Sequence, residues 1–301
     1  MRLTIVDERQ KRIMKLSTQT DVLCNYYPPE TAVQMIAEAG FDAVDLSMFE
    51  GDGTRWIFED GFESRMKGLL AVAEANGVYF NQAHAPFPSY VVGNDEYNAH
   101  IRPMLIRSIE AAGIAGVKNI VVHPVVFPER QKEQNIQMYN ELLPVAKRAG
   151  VKIAIENMWG RDSRSDVIVP NVCSVASELA DYVDSLDPDW FTVCLDIGHV
   201  GLVHEYEAPF IRALGAKRLT CVHIHDNDNI HDSHTCPFTG KLPWDEIACA
   251  FAEIGYLGDI TLEADNFLAK KLPLRLYPAG LRFMAAAGRE LIRMIEEAKN
   301  K

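Results

Sequence analysis

The feature that most constrains the fold is a repeated alternation of short apolar segments with helical patterns. Eight segments rich in β-branched residues recur at intervals of roughly 30 to 40 residues, enough for one strand, one helix and their loops. They are MKLSTQ (14–19), DAVDLS (42–47), VYFNQAH (78–84), VKNIVVH (117–123), VKIAIE (151–156), FTVCLD (191–196), RLTCVHIH (218–225) and DITLE (259–263). Strands of this kind that alternate with helices indicate a parallel sheet covered by helices. Eight such units favour closure, so we predict a single-domain (β/α)₈ TIM barrel of the α/β class in residues 14–301, preceded by an N-terminal arm (1–13).

Helical patterns with recognisable ends lie between the strand segments. PPETAVQMIAEAG (28–40) opens with prolines and closes with a glycine, which is the usual asymmetry of helix ends. Similar patterns occupy residues 62–77, 135–150 and 278–299. These helices are expected to cover the outside of the barrel.

Composition narrows the class of protein. The formal net charge is −12, and no basic stretch outside the termini could grip a phosphate backbone, so nucleic acid is disfavoured as a partner and small neutral or weakly anionic ligands fit better. No apolar run approaches the roughly 20 residues of a membrane helix. The charged start MRLTIVDERQKR lacks the apolar stretch of a secretory signal, so we expect a cytoplasmic protein without a membrane partner.

The six cysteines are scattered and form no CxxC pair. A disulfide framework or a cysteine zinc knuckle is therefore not expected, and the thiols should be reduced and buried. Cys236 lies in a predicted loop near the site and is expected to be a surface thiol.

Polar residues collect where the predicted strands end. His84, His123, Glu156, Asp196, His223, His225 and Glu263 end strands or lie near their ends, and His199 and His234 follow on loops. In an α/β barrel these ends meet at one mouth, where active sites lie. Taken singly, each residue could be a hydrogen-bonded or ion-paired structural residue. Together, three carboxylates and several imidazoles would repel one another or remain costly to desolvate, and few Lys or Arg residues lie near.

A divalent cation resolves that cost. Mixed carboxylate and imidazole ligands suit Mn²⁺, Zn²⁺, Co²⁺ or Fe²⁺, and with water also Mg²⁺. We expect Mn²⁺ or Zn²⁺ first, with Mg²⁺, Co²⁺ and Fe²⁺ also compatible.

The ordered motifs resemble a known group of proteins. They are HAPF (84–87), VVHP (121–124), IAIEN (153–157), CLDIGH (194–199), VHIHDND (222–228), DSH (232–234) and LEAD (262–265). This set resembles the xylose isomerase-like TIM-barrel superfamily, which holds sugar isomerases, tagatose 3-epimerase-like enzymes and endonuclease IV.

The resemblance implies a principal metal held by Glu156, Asp196, His223 and Glu263. It also implies a set of substrate-binding residues or ligands of a second metal: His84, His123, His199, His225, Asp232, His234 and Trp159. Many relatives are homo-oligomers, so a homo-oligomer is implied as well.

Two activities follow from the resemblance. The first is a metal-dependent sugar isomerase or epimerase in carbohydrate metabolism, acting on a ketose or related polyol-carbonyl substrate through an enediolate, with Glu156 and Glu263 as the acid–base pair. Phe87, Trp159 and Trp244 could then form an apolar wall beside the sugar. A barrel that only binds a sugar would not need the two glutamates.

The second activity is endonuclease IV-like cleavage at abasic DNA sites by three zinc ions. The sequence can supply all nine ligand types of that site in order: His84, His123, Glu156, Asp196, His199, His223, Asp232, His234 and Glu263. The acidic chain and the motifs around these residues favour the sugar enzyme. In the epimerases a loop arginine follows the seventh strand, here predicted at 218–225. The corresponding position in this sequence is near Asn229, so the sequence departs from the epimerase branch at that point.

Overall fold

A computed structural model describes residues 14–49, 51 and 53–300. Within these ranges the strands are β1 (Leu16–Gln19), β2 (Ala43–Ser47), β3 (Tyr79–His84), β4 (Asn119–Val121), β5 (Lys152–Glu156), β6 (Trp159–Arg161), β7 (Ile168–Pro170), β8 (Phe191–Asp196), β9 (Leu219–His223) and β10 (Ile260–Leu262). Eight of them form one parallel sheet in the order β10-β1-β2-β3-β4-β5-β8-β9. The sheet closes where Ile224 pairs with Leu262, so the predicted (β/α)₈ barrel is confirmed.

Helices surround the barrel. They are α1 (Asp21–Cys24), α2 (Pro29–Glu38), α3 (Phe62–Ala75), α4 (Asp95–Ile114), α5 (Gln131–Ala149), α6 (Ala176–Asp184), α7 (Ile197–Leu202), α8 (Glu207–Arg218), α9 (Trp244–Glu253), α10 (Asn266–Lys271) and α11 (Tyr277–Lys299). Each long helix has one buried apolar stripe; in α11 it includes Leu281, Met284, Leu291 and Ile295. These stripes pack on the outward-facing strand residues and complete the core.

Some predicted segments are longer than the strands. The predicted strand 117–123 ends at Val121, and Pro124, which cannot donate a ladder hydrogen bond, follows His123. The predicted strand 218–225 ends at His223, and the predicted strand 259–263 ends at Leu262. The polar residues of the mouth therefore lie at the strand ends or just beyond them.

The antiparallel hairpin of β6 and β7 lies outside the barrel and was not predicted. Its register pairs Trp159 with Pro170 and Arg161 with Ile168. The strands are short and half-exposed, so they carry no alternating pattern from which the sequence could reveal them. The hairpin brings Trp159 to the mouth.

The inside of the barrel is partly polar. Ser17 donates a hydrogen bond to Asn81 (2.7 Å), and the Asn81 amide donates to Thr261 (2.9 Å). Thr261 donates to Gln82 (3.1 Å), whose amide donates to Asp45 (2.9 Å). All five side chains are buried, so this polar chain is built into the core beneath the mouth.

The cysteines are free, and five of the six are buried. Two expectations about single thiols are wrong. Cys249 is exposed, and Cys236 is fully buried within the core rather than at the surface, because its loop folds back over the barrel. No helix among the described residues is long and apolar enough to cross a membrane. The predicted arm of residues 1–13 lies outside the described residues.

Two helical glycines should respond oppositely to replacement by alanine. A Cβ at Gly113 in α4 would lie 2.7 Å from the Ala149 carbonyl oxygen of α5, whereas a Cβ at Gly68 in α3 would meet nothing within 4 Å. We expect Gly113→Ala to destabilise the protein by about 1–3 kcal/mol through overpacking. Gly68→Ala should stabilise it by up to about 1 kcal/mol through helix propensity. Urea unfolding of both variants checks this; equal effects would contradict the close α4–α5 contact.

Candidate functional site

Four side chains from neighbouring strands form the central group of the mouth. Glu156, Asp196, His223 and Glu263 each offer one atom, and these atoms lie within 4.8 Å of one another. The His223 Nδ1 atom is 3.1 Å from Glu156 Oε1 and 3.0 Å from Glu263 Oε2. All four residues are buried. The four residues predicted as principal ligands therefore share one small volume.

Strand register brings this group together. Asp196 and His223 are paired residues of β8 and β9, and Glu156 ends β5 on the other side of β8. Glu263 follows β10, the strand that closes the barrel beside β9. Asn157 fixes the backbone of Asp196 from both sides, donating to its carbonyl (2.9 Å) and accepting from its N–H (2.8 Å).

A second group adjoins the first through Glu156. The Nε2 atoms of His84 and His123 are 3.0 Å apart, and His123 Nε2 is 3.0 Å from Glu156 Oε2. The Nδ1 atom of His84 lies 2.7 Å from the Ala85 carbonyl oxygen and therefore donates to it. In the neutral ring, Nε2 then carries no hydrogen and can act only as an acceptor or a metal ligand. Two imidazole nitrogens at this distance must share a proton or face a common cation.

A third group lies on the other side of Asp196. It consists of His199, His225, Asp232 and His234, whose ligand atoms also lie within 4.8 Å of one another. The His234 Nε2 atom is 3.1 Å from Asp232 Oδ2, and the His225 and His234 rings stack at 3.9 Å. Both His199 and His234 donate from Nδ1 to backbone carbonyls, so their Nε2 atoms point into the mouth.

Charge is balanced inside the mouth by imidazoles. Burial alone would raise the pKa of Glu156. The neighbouring His223 and His123 lower it by more than burial raises it, so the pKa of Glu156 lies well below its ordinary value. Burial lowers the pKa of His223, but Cys194, Glu263 and Glu156 raise it well above the ordinary value. Burial also opposes protonation of His234, yet Asp232 and Glu263 raise its pKa to about 10. Each carboxylate thus requires a nearby positive charge, from a proton or from a metal ion.

The donor set fits a divalent cation. Asp196 Oδ2 of the central group and Asp232 Oδ1 of the third group are buried without a hydrogen-bond partner among the described residues. His225 Nε2 also makes no hydrogen bond within the described part of the chain, although it lies 3.0 Å from Asp196 Oδ1. Buried polar atoms of this kind are costly unless something binds them. Carboxylate oxygens and imidazole nitrogens are ligands of Zn²⁺, Mn²⁺ and related ions.

Aromatic rings border the mouth at two places, Phe87 beside the second group and Trp159 beside the third. Phe87 is half-exposed and packs against His123 (ring centroids 4.8 Å apart) and Phe49 (4.9 Å). Trp159 donates to Asp232 Oδ2 (3.2 Å) beside His199. The expectation for Trp244 is wrong: this residue is buried and donates to Asp226 (2.9 Å), so it packs in the core.

Two contributors to the site were missed. Asp45 of β2 lies 3.5 Å from His223 Nε2. Gly198 admits the His225 ring, because a Cβ there would lie 2.0 Å from its Cε1 atom. The aspartate within the apolar run DAVDLS was the one available signal for Asp45. Nothing in the sequence marks Gly198 apart from its place in CLDIGH.

Comparisons with solved structures agree with the fold. A D-tagatose 3-epimerase-like protein superposes with a TM-score of 0.73 at 22% identity, covering 94% of this chain and 99% of that one. The zinc-bound IOLI protein superposes with a TM-score of 0.71 at 16% identity, covering 94% and 99%.

Relatives in sequence come from several branches. An uncharacterized protein of Methanocaldococcus jannaschii is 25% identical over 285 residues, covering 88% of this chain and 89% of its own. D-psicose 3-epimerase of Ruminiclostridium cellulolyticum is 28% identical over 131 residues, covering 44% and 40%. A probable endonuclease 4 of Oceanobacillus iheyensis is 26% identical over 177 residues, covering 54% and 56%.

The match to a family extends over most of the barrel. The sequence model described as xylose isomerase-like TIM barrel matches residues 33–287, which includes all three groups of the mouth. The chain belongs to the xylose isomerase-like TIM barrel family.

Proposed function

We propose that this protein is a metal-dependent sugar isomerase or epimerase that acts on a ketose or a related polyol-carbonyl substrate. The observation that carries the proposal is the placement of Glu156 and Glu263, whose carboxylate oxygens both lie beside His223 Nδ1, at 3.1 and 3.0 Å. Two carboxylates that flank one ligand position suit proton transfer at a carbon held between them. The epimerase relatives and fold neighbours support this class of reaction.

Glu156, Asp196, His223 and Glu263 would hold the cation. When bound, a divalent ion supplies Lewis-acid stabilisation of negative charge on the substrate's oxygens. The ion would also replace the protons that now balance these buried carboxylates. Zn²⁺ and Mn²⁺ fit the mixed donors best, and the zinc-bound IOLI protein supports that choice.

The two glutamates would move the proton. One carboxylate removes a proton from the carbon next to the carbonyl, and the substrate becomes an enediolate. The other carboxylate, protonated, returns a proton to the adjacent carbon in an isomerase or to the opposite face in an epimerase. The low pKa values of Glu156 and Glu263 favour the ionised form, which suits the base. In an epimerase the other glutamate would have to carry a proton taken from solvent before it acts as the acid, and the two roles are reversed after one turnover.

The rest of the mouth would bind the sugar. The Nε2 atom of His199 makes no hydrogen bond to the described residues and can exchange one with a hydroxyl group, whereas His234 Nε2 already lies 3.1 Å from Asp232 Oδ2. Phe87 offers a half-exposed ring on the opposite side, and Trp159 closes the wall beside His199. A small polyol with one polar and one apolar face suits this lining.

A second candidate function rests on a separate observation. All nine residues that resemble the endonuclease IV ligands lie in the three groups, with Glu156 shared between two of them. This arrangement could hold three metal ions for hydrolysis of a phosphodiester at an abasic DNA site. We rank it second because the chain carries a net charge of −12, which opposes the approach of DNA.

Replacement of the two glutamates tests the proton-transfer roles. Glu156→Gln and Glu263→Gln keep an oxygen that can face a metal but remove the base, so we expect turnover to fall by about 10²–10⁴-fold. Exchange of a carbon-bound hydrogen with solvent deuterium across a panel of ketoses provides the assay. Glu207→Gln, a buried glutamate outside the three groups, is the matched control and should retain activity. Unchanged exchange in both site variants, with metal retained, would remove the proposed roles.

Counting metal ions separates the two candidates. We expect one divalent ion per chain in the purified protein, because the sugar reaction requires only the central group. Elemental analysis gives the count. Three zinc ions per chain together with cleavage of an oligonucleotide containing an abasic site would instead favour the endonuclease.

A further inference from the structure

The two nitrogens of His223 face different partners. Its Nδ1 atom faces the carboxylates of Glu156 and Glu263. Its Nε2 atom lies 3.5 Å from Asp45 Oδ2 and has no hydrogen-bond partner among the described residues, so Asp45 is the carboxylate nearest to a buried nitrogen that still needs a partner. Both His223 and Asp45 have zero exposed area, so water does not reach this pair from the surface.

We propose that Asp45 is a positioning residue that holds His223 with Nδ1 directed at the metal. A neutral imidazole carries one N–H, and the nitrogen that binds a metal must be the other one. If Nδ1 is the ligand, the proton lies on Nε2 and needs a buried acceptor. Asp45 is the carboxylate that faces it. This inference rests on the metal site of the proposed function.

The polar chain inside the barrel fixes Asp45 as an acceptor. Every hydrogen bond in the chain runs in one direction: Ser17 to Asn81, Asn81 to Thr261, Thr261 to Gln82 and Gln82 to Asp45. Asp45 Oδ2 therefore accepts the hydrogen bond that the Gln82 amide donates. A carboxylate that accepts from one side is best matched by an N–H on the other, which would place the hydrogen of His223 on Nε2.

The role proposed for Asp45 gives a reason for the polar residues inside this barrel. Barrel interiors are usually filled by Val, Ile and Leu, and a buried carboxylate without a partner is costly. Here Asp45 has one oxygen, Oδ1, without any hydrogen-bond partner among the described residues. A buried carboxylate that costs folding free energy can be kept in a protein because it orients a metal ligand. Carboxylates that accept a hydrogen bond from the second nitrogen of a metal-binding histidine commonly have this role.

Metal affinity of paired variants tests the assignment. Asp45→Asn keeps the size of the side chain but replaces one acceptor oxygen by a donor. Ser17→Ala, the matched control, shortens the same polar chain at the end that does not contact His223. Competition of Zn²⁺ and Co²⁺ against a chromophoric chelator should give about 10–100-fold weaker binding for Asp45→Asn and nearly unchanged binding for Ser17→Ala. Equal affinity of wild type and Asp45→Asn would overturn the proposal.

A spectroscopic measurement on the wild type distinguishes orientation from general stability. NMR of isotope-labelled histidine in the zinc-loaded protein should assign His223 as the Nε2–H tautomer with Nδ1 bound to metal. Metal bound through Nε2 would overturn the proposal, even if Asp45→Asn does not fold. If the wild type binds neither ion, both this inference and the metal part of the proposed function fail. If metal binds but no ketose reacts, only the proposed reaction fails.

Discussion

Burial of acidic side chains within one small volume is the constraint on which the mouth of this barrel depends. Glu156, Asp196 and Glu263 converge on His223, and Asp232 lies beyond Asp196. In a largely buried site, each carboxylate must meet a positive charge or remain protonated. The imidazoles meet that demand without metal, as the raised pKa values of His223 and His234 indicate. A cation would displace those protons, so metal binding should be coupled to proton release.

The sequence predicts the fold from its eight apolar runs, and it predicts the central group from the polar residues at which those runs end. Glu156 and Asp196 each end an apolar run, and in a parallel barrel such ends share one face. Trp244 was misplaced because its position in a loop motif gave no indication of its contact with Asp226. Asp45 was missed because β2 is buried on both faces. Alternation in such a strand cannot tell which residues point inward.

Support for the site reaches deep into the barrel. Asn157 fixes Asp196 through the backbone, and Gly198 leaves the space that His225 occupies. The polar chain from Ser17 to Asp45 crosses four strands before it reaches the mouth. A ligand held this way loses little conformational freedom on binding, which favours a preorganised site. The exact residues depend on cross-strand neighbours, so one sequence alone could not identify them.

Glu156 is the residue at which the two candidate chemistries diverge. Its Oε1 faces His223, while its Oε2 lies 3.0 Å from His123 and 3.5 Å from His84. A base must have one oxygen free to accept a proton from the substrate. A carboxylate that bridges two cations has none. If His84 and His123 share a proton, Oε2 can turn to the substrate and the sugar reaction is available. If they hold a second ion, Oε2 would face that ion and would not be available as a base, and metal-assisted hydrolysis would be the chemistry that these residues support.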